Sequence, residues 1–350
     1  MKKITTLLTA IIGMAFMNQV SATHVTVEVP TAGQLSSLVQ NANCDSITIS
    51  GNLDGNDFWF IREQMPNLIY LNIGKVTVPD NKLPESGLYS KKALQKIILP
   101  DNLGTIGNHA FAYCSNLKDI TFPKSLVTIE YNAFYQSGLT EATLPDKLKN
   151  IGDAAFYECY NLKKVNFPEK LVSIGNSAFR QCNLSEIAFP DSLKAIGSNA
   201  FRYCQQLQKV TFPEKLETIG THAFNDCFRL HTATLKGKTA PVISDNTFNY
   251  TKVFYVPEGA VQTYKEAPNW SNLVIIDGNT PKKITVTLTT AGTLGEEILK
   301  QVDYVKQVNE LVINGPLNSD DFYQIQQQTT NLIAIDLIGA TIESLPENFF

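Results

Sequence analysis

Apolar positions along this chain keep two rhythms, one of two residues and one of 22 or 23. Between residues 117 and 122, Ile120 and Phe122 alternate with Asp119 and Thr121, the pattern of a strand with one face turned inward. Leu117 completes a Leu-x-x-Ile-x-Phe string, and Pro123 ends the predicted strand. The long rhythm is carried by phenylalanines that follow an alanine: Phe111, Phe134, Phe156, Phe179, Phe201 and Phe224, spaced by 23, 22, 23, 22 and 23 residues. Prolines keep the same beat at Pro100, Pro123, Pro145, Pro168, Pro190 and Pro213, as do leucines at Leu103, Leu126, Leu148, Leu171, Leu193 and Leu216. In residues 103–122 the apolar positions fall into three corners: Leu103 with Ile106, Ala110 with Phe111, and Leu117 with Ile120 and Phe122.

A period of this length with such a core places the chain in the leucine-rich repeat class, in which every turn adds a short strand to one sheet. The predicted fold is a leucine-rich repeat solenoid, mainly β with short helical or irregular segments, built from stacked 22–23-residue turns. One turn cannot bury its own corners, so the stack is the unit that folds. The phenylalanine column is the expected spine. Gly107, Gly152, Gly175, Gly197 and Gly220 follow the isoleucine of the first corner, where a tight bend at positive φ is expected; Glu130 stands there in one turn. Two turns are irregular. Ser137-Gly138 replaces the cysteine of one, and another lacks a residue between Cys182 and Leu184, so local bulges are expected at both.

Cysteine follows the phenylalanine by three positions at Cys114, Cys159, Cys182, Cys204 and Cys227. Metal binding suits one cysteine per turn poorly. Disulfides are open to an exported chain, and strand spacing of about 4.8 Å permits the approach, but parallel Cβ vectors suit the bridge badly. Buried, unbridged small hydrophobes fit the column best. Cys44 lies outside it, with no role assigned.

The ends differ from the middle. Met1-Lys2-Lys3, an apolar run from Ile4 to Phe16 and Val20-Ser21-Ala22 have the order of a secretory signal peptide over residues 1–22, with cleavage expected after Ala22. No second run of membrane-spanning length follows, so no membrane span is expected after cleavage. Residues 23–87 are expected to form an N-terminal capping unit, residues 88–276 the repeat array with irregular closing turns, and residues 277–350 a second copy of the cap. The duplication is read from Thr31-Ala32-Gly33-x-Leu35 against Thr290-Ala291-Gly292-x-Leu294, and from Gly51, Leu53, Asp57, Phe58 and Ile61 against Gly315, Leu317, Asp321, Phe322 and Ile325. Asp57, ahead of Phe58, Ile61 and Met65, is expected to start a helix. Asp277-Gly278-Asn279-Thr280-Pro281 is the expected linker. The second copy stops near Leu345, where the first would lead into repeats, and a continuation into a second array is expected.

Composition narrows the chemistry. A formal charge of −4 without basic runs argues against a nucleic-acid partner, and 43% hydrophobic with 18% charged residues argues for a folded chain. His24, His109, His222 and His231 show no zinc spacing, and no phosphate loop, dinucleotide fingerprint or nucleophile elbow occurs. Asp119, Glu141 and Glu186 share an outward column with Lys96, Lys164 and Lys209, which suits cross-strand charge pairing better than acid–base catalysis. No enzyme activity, metal or cofactor is expected.

The string Cys-x-x-Leu-x-x-Ile-x-Phe-Pro, followed by Leu-x-x-Ile-Gly and Ala-Phe, resembles the BspA-like leucine-rich repeats of bacterial surface proteins across residues 88–235. The segment with Phe248, Val253 to Pro257, Tyr264 and Trp270 is similar to the irregular turns that close such arrays. The resemblance implies an exported protein at the cell surface, associated with an outer membrane, or secreted. It also implies adhesion to host matrix, other cells or glycoproteins, and brings no catalytic residues.

Two columns beside the sheet carry large side chains, and Tyr113, Tyr135, Tyr157, Arg180, Arg202 and Tyr203 form the candidate strip for an extracellular protein or glycoprotein ligand. The alternative is that these rings and stems only cover apolar edges between turns. Tyr135, Gln136, Tyr157 and Glu158 would also suit a glycan, and an architectural spacer needs neither. The oligomeric state is not read from the sequence.

Overall fold

The computed structural model describes residues 24–344 apart from 252, 279–282, 302–307, 309, 329–331 and 333. The expected signal peptide, residues 279–281 of the expected linker and the closing residues 345–350 lie outside the described residues.

The chain winds into a solenoid with two parallel ladders. On one side the strands His24–Val29, Ser46–Asn52, Tyr70–Thr77, Lys96–Ile98 and Asp119–Thr121 pair in sequence order. Glu141–Thr143 pairs with Lys164–Asn166 alone, and a further sheet runs from Glu186–Ala188 through Lys209–Phe212, Thr232–Leu235 and Val253–Val256 to Val274–Asp277. The other side carries an uninterrupted ladder of seven two-residue strands, from Lys82–Leu83 to Thr218–Ile219. This second ladder occupies the first apolar corner of each turn and begins ahead of residue 88.

Both breaks in the first ladder fall at the two turns that lack a residue. Glu141–Thr143 follows Ser137-Gly138-Leu139, Glu186–Ala188 follows Cys182-Asn183-Leu184, and neither strand pairs with the one before it. The expected bulges are therefore ruptures of the sheet. Removing one residue between fixed corners pulls the strand off the register its neighbour presents. The inward residues just before each break, Ile120 and Val165, are half-buried, whereas Ile97, Ala142, Ile187 and Val210 are buried.

The remaining corner is held by alternating hydrogen bonds. The N–H groups of His109, Phe111 and Tyr113 donate to carbonyls of Tyr131, Ala133 and Tyr135 in the next turn, while those of Ala110, Ala112 and Cys114 close tight turns onto Gly107, His109 and Phe111. His109 and Tyr113 have φ of 56° and 62°, and the residues two before and two after each later phenylalanine are left-handed as well. Such non-glycine conformations are uncommon, and here they accompany N–H groups directed along the stack.

The glycines after the isoleucines are not the positive-φ residues expected of them. A Cβ on Gly107 would stand 2.4 Å from the Leu83 carbonyl oxygen, and one on Gly220 would stand 2.4 Å from the Ser198 nitrogen. Close approach of consecutive turns is the reason for glycine. Glu130, in the same column, places its carboxylate against Lys82 at 2.6 Å and the Asn108 N–H at 3.1 Å.

One core cluster runs from Val29 to Ile275. Its axis is the phenylalanine column, fully buried from Phe111 to Phe224, with adjacent rings 5.0–5.3 Å apart and 5–12° from parallel. Phe248 extends the stack at 5.5 Å, and Trp270 then closes it against Phe254 and Tyr264, its Nε1 donating to the Pro241 carbonyl at 2.8 Å.

The first flanking unit contains a helix, Gly55–Gln64, whose N-cap is Asp54. Asp57, expected as the start, lies inside at the third helical position, where it completes a capping box. At the other end Lys91, buried, donates to the Met65 carbonyl, and burial pushes its ammonium pKa down. The unit at residues 283–344 has a core of its own, from Ile284 to Ile325. Its three parallel strands, Lys283–Thr287, Glu310–Leu317 and Ala334–Ile342, carry a register shift between Val312 and Asn314 that matches the shift between Thr48 and Ser50.

Candidate binding surface

The six strip residues come together in one chain of contacts along the turn edge. Tyr113 meets Tyr135 edge-on at 5.0 Å, and Tyr135 stacks on Tyr157 at 5.3 Å. The Arg180 guanidinium lies 5.3 Å from the Tyr157 ring and 5.6 Å from that of Tyr203, and Arg202 lies 4.8 Å from Tyr203. Two further residues extend the run, Tyr89 at 5.3 Å from Tyr113 and Asp226 at 3.1 Å from Arg202 Nε. Sequence reasoning missed Tyr89 because Leu88 stands in the phenylalanine column of that turn. The 23-residue offset from Phe111 was the signal that could have found it.

Glu158 is the polar hub of the strip. Burial works to raise its carboxyl pKa, but hydrogen bonds from Gln136, Tyr160, Tyr157 and Tyr135 outweigh it and hold the group below its usual value. The tyrosines respond in the opposite sense. Burial, followed by its contacts with Tyr113 and Glu158, raises the Tyr135 phenol, while burial and Glu158 push Tyr160 up to about 12. The strip residues are half-buried, and the Nε of Arg180 is buried without a hydrogen-bond partner among the described residues.

The column cysteines are buried and free. Each sulfur reaches a carbonyl of the preceding turn: Cys114 that of Leu88 at 3.1 Å, Cys159 that of Phe134 at 3.0 Å, and Cys182, Cys204 and Cys227 those of Phe156, Phe179 and Phe201 at 3.1–3.2 Å. Among the described residues no group of three or more His, Cys, Asp or Glu gathers as metal ligands, and no helix is long and apolar enough to cross a membrane. In the outward charge column Lys96 pairs with Asp119 at 2.6 Å, and strand register sets Lys164 beside Glu141 and Lys209 beside Glu186.

The second rupture opens the surface in two places. A notch of about 440 Å³ lies where the missing residue would be, lined by Tyr160, Gln181, Asn183, Tyr203, Gln205 and Gln206 above Cys182. A few residues further along the same turns, a cleft of about 390 Å³ separates Lys164 to Phe167 from Glu186 to Ala188.

Stacked turns, parallel ladders and an internal aromatic column define a leucine-rich repeat solenoid. A family model, the BspA type leucine rich repeat region, matches in six copies over residues 81–204 and 172–266. That is more than half of the chain, and the chain belongs to this family. Among solved structures it is similar to a leucine rich repeat protein of T. pallidum, 28% identical over 54% of this chain and 72% of the other, with a TM-score of 0.33. It is also similar to a leucine rich cell surface protein from Faecalibacterium prausnitzii, 18% identical over 89% and 87% of the two chains, with a TM-score of 0.45. A leucine-rich repeat protein from Bacteroides ovatus is 18% identical over 91% and 83%, with a TM-score of 0.32. No curated protein matches the chain.

Proposed function

We propose that this chain is an exported, non-catalytic binding protein that adheres to proteins outside the cell, host matrix or the surface of other cells, through the strip from Tyr113 to Tyr203. The observation that carries this reading is the unbroken run of ring and guanidinium contacts along one edge of the solenoid. Tyrosine and arginine give contact area and hydrogen bonds together, and side chains already fixed by their neighbours lose less freedom on binding. Export, to the surface or the medium, is supported by the order of residues 1–22.

The half-burial of the strip favours a second reading, in which it seals the edges between turns of an architectural spacer. One variant separates the two. Replacement of Tyr135, Tyr157, Arg180 and Arg202 by alanine, assayed on an array of matrix proteins with thermal melting in parallel, loses adhesion with a modest drop in Tm on the first reading. On the second, wild-type protein shows no array signal and the variant loses stability alone.

A further inference from the structure

The shortened turn at residues 182–184 lacks a residue that the adjacent turns carry. Cys159 is followed by Tyr160 and Asn161 before the leucine, and Cys204 by Gln205 and Gln206; between Cys182 and Leu184 there is only Asn183. The other shortened turn packs directly on its neighbour. There Gly138 packs so tightly on the previous turn that a Cβ would stand 2.3 Å from the Ser115 carbonyl oxygen, and Gln136 is tied to Glu158. At the second deletion asparagine stands in place of glycine, and the space of about 440 Å³ stays open, within the range of small-molecule sites.

Its lining has one chemistry. Six side chains, two phenols and four carboxamides, surround the notch without a charge among them. None of the four carboxamides, those of Gln181, Asn183, Gln205 and Gln206, has a hydrogen-bond partner among the described residues. Tyr160 is 54% exposed, and its ring touches no other ring or cation among the described residues. The backbone beneath is pinned as well. Gln181 and Tyr203, both at φ of 62°, donate their N–H groups to the carbonyls of Arg202 and Asn225.

We infer that this notch binds a neutral saccharide, its pyranose ring lying on Tyr160 and its hydroxyls bonded to the carboxamides. A sugar ring offers an apolar C–H face and a rim of groups that both donate and accept. An aromatic face and planar carboxamides, each with two donors and an acceptor, are the complementary set. Nothing in the lining neutralises a carboxylate, sulfate or phosphate, and no aliphatic side chain lines the notch to anchor a peptide side chain. The pinned backbone reduces the ordering cost of binding. The site goes beyond the protein-binding strip, with which it shares only Tyr203.

The full chain is titrated by saturation-transfer NMR and calorimetry with neutral trisaccharides of glucose, mannose, galactose and N-acetylglucosamine, and with sialyllactose and a heparin tetrasaccharide as charged probes. At least one neutral trisaccharide is expected to bind. Tyr160→Ala weakens it at least about tenfold, Gln181→Ala and Gln205→Ala weaken it severalfold, and Tyr131→Ala, remote from the notch, leaves it unchanged. Inserting a serine between Asn183 and Leu184 restores a 23-residue turn and abolishes binding, with circular dichroism confirming the fold of each variant. Silence from every neutral probe at about 10 mM, binding of charged probes alone, or binding that survives Tyr160→Ala overturns the inference. Matrix-protein adhesion is read separately, so failure of the strip proposal leaves this test intact.

Discussion

Asp57 accepts the backbone N–H of Gly33 at 2.6 Å, and Asp321 accepts that of Gly292 at the same 2.6 Å. Each carboxylate also takes two further N–H groups, Leu35 and Asp54 in one unit, Leu294 and Asn318 in the other, at 2.9 and 3.0 Å. Both aspartates are buried, so truncation strands donors that water reaches poorly. Asp57→Ala is expected to cost about 3 kcal/mol or more. Asp57→Asn recovers only part, because its NH2 must face one of the three donors. Urea unfolding checks both, and a loss below about 1 kcal/mol for the alanine variant would show that the carboxylate does not organise the unit.

The phenylalanine stack makes a second prediction. Phe156 is fully buried, with Phe134 and Phe179 both at 5.1 Å, and truncating it leaves a cavity between rings that backbone ladders hold in place. Phe156→Ala is expected to destabilise the array by about 3–5 kcal/mol. Phe156→Leu should cost less, since it keeps more of the buried volume. Equal losses for the two in urea titrations would argue against a cavity as the cause.

The repeat was legible because its apolar landmarks must recur for stacking to bury them, and Phe111 through Phe224 lie where the period places them. The strip was legible as a column, but its closure into one contact chain was not, since Arg180 bridges Tyr157 and Tyr203 from different columns. The left-handed positions were hidden for a different reason. His109, Tyr113 and Gln181 carry no glycine to announce them, and their conformation accompanies hydrogen bonds between turns that no local pattern records. Pairing is likewise non-local, so the missing residue after Cys182 could be counted in the sequence while the rupture and notch it creates could not.

The glycine column separates two physical causes by substitution. If positive φ were the requirement, asparagine would serve nearly as well as glycine. The structure instead sets backbone atoms 2.6 Å from a Cβ on Gly197, a clash indifferent to which side chain follows. Gly197→Ala and Gly197→Asn are therefore both expected to lose about 1–3 kcal/mol, the range of overpacked sites. Gly104→Ala, where the nearest atom would be 3.7 Å away, should change little. An asparagine variant as stable as wild type would return the column to a φ requirement.

The cysteine column ties stability to pH through a definite sign. Burial raises the Cys114, Cys159 and Cys204 thiols to about 12 from an ordinary value of 9.0, and lifts Cys182 and Cys227 well above it. Each sulfur lies against a carbonyl oxygen, which a thiol can donate to and a thiolate would repel. The folded state therefore holds protons that the unfolded chain releases above pH 9. The stabilisation is complete below pH 9 and is lost as pH rises toward the folded value. At pH 10, one unit above the ordinary value, each buried thiol should cost on the order of 1 kcal/mol relative to neutral pH. Urea midpoints at pH 8, 9 and 10 should fall steeply for the wild-type chain and less steeply for Cys204→Ser. In the native state at pH 8 the column should resist a thiol-specific chromogenic reagent, and all six cysteines should react once urea unfolds the chain. Rapid labelling of the native column, or a flat stability profile between pH 8 and 10, would mean that these sulfurs are not the buried donors the geometry makes them.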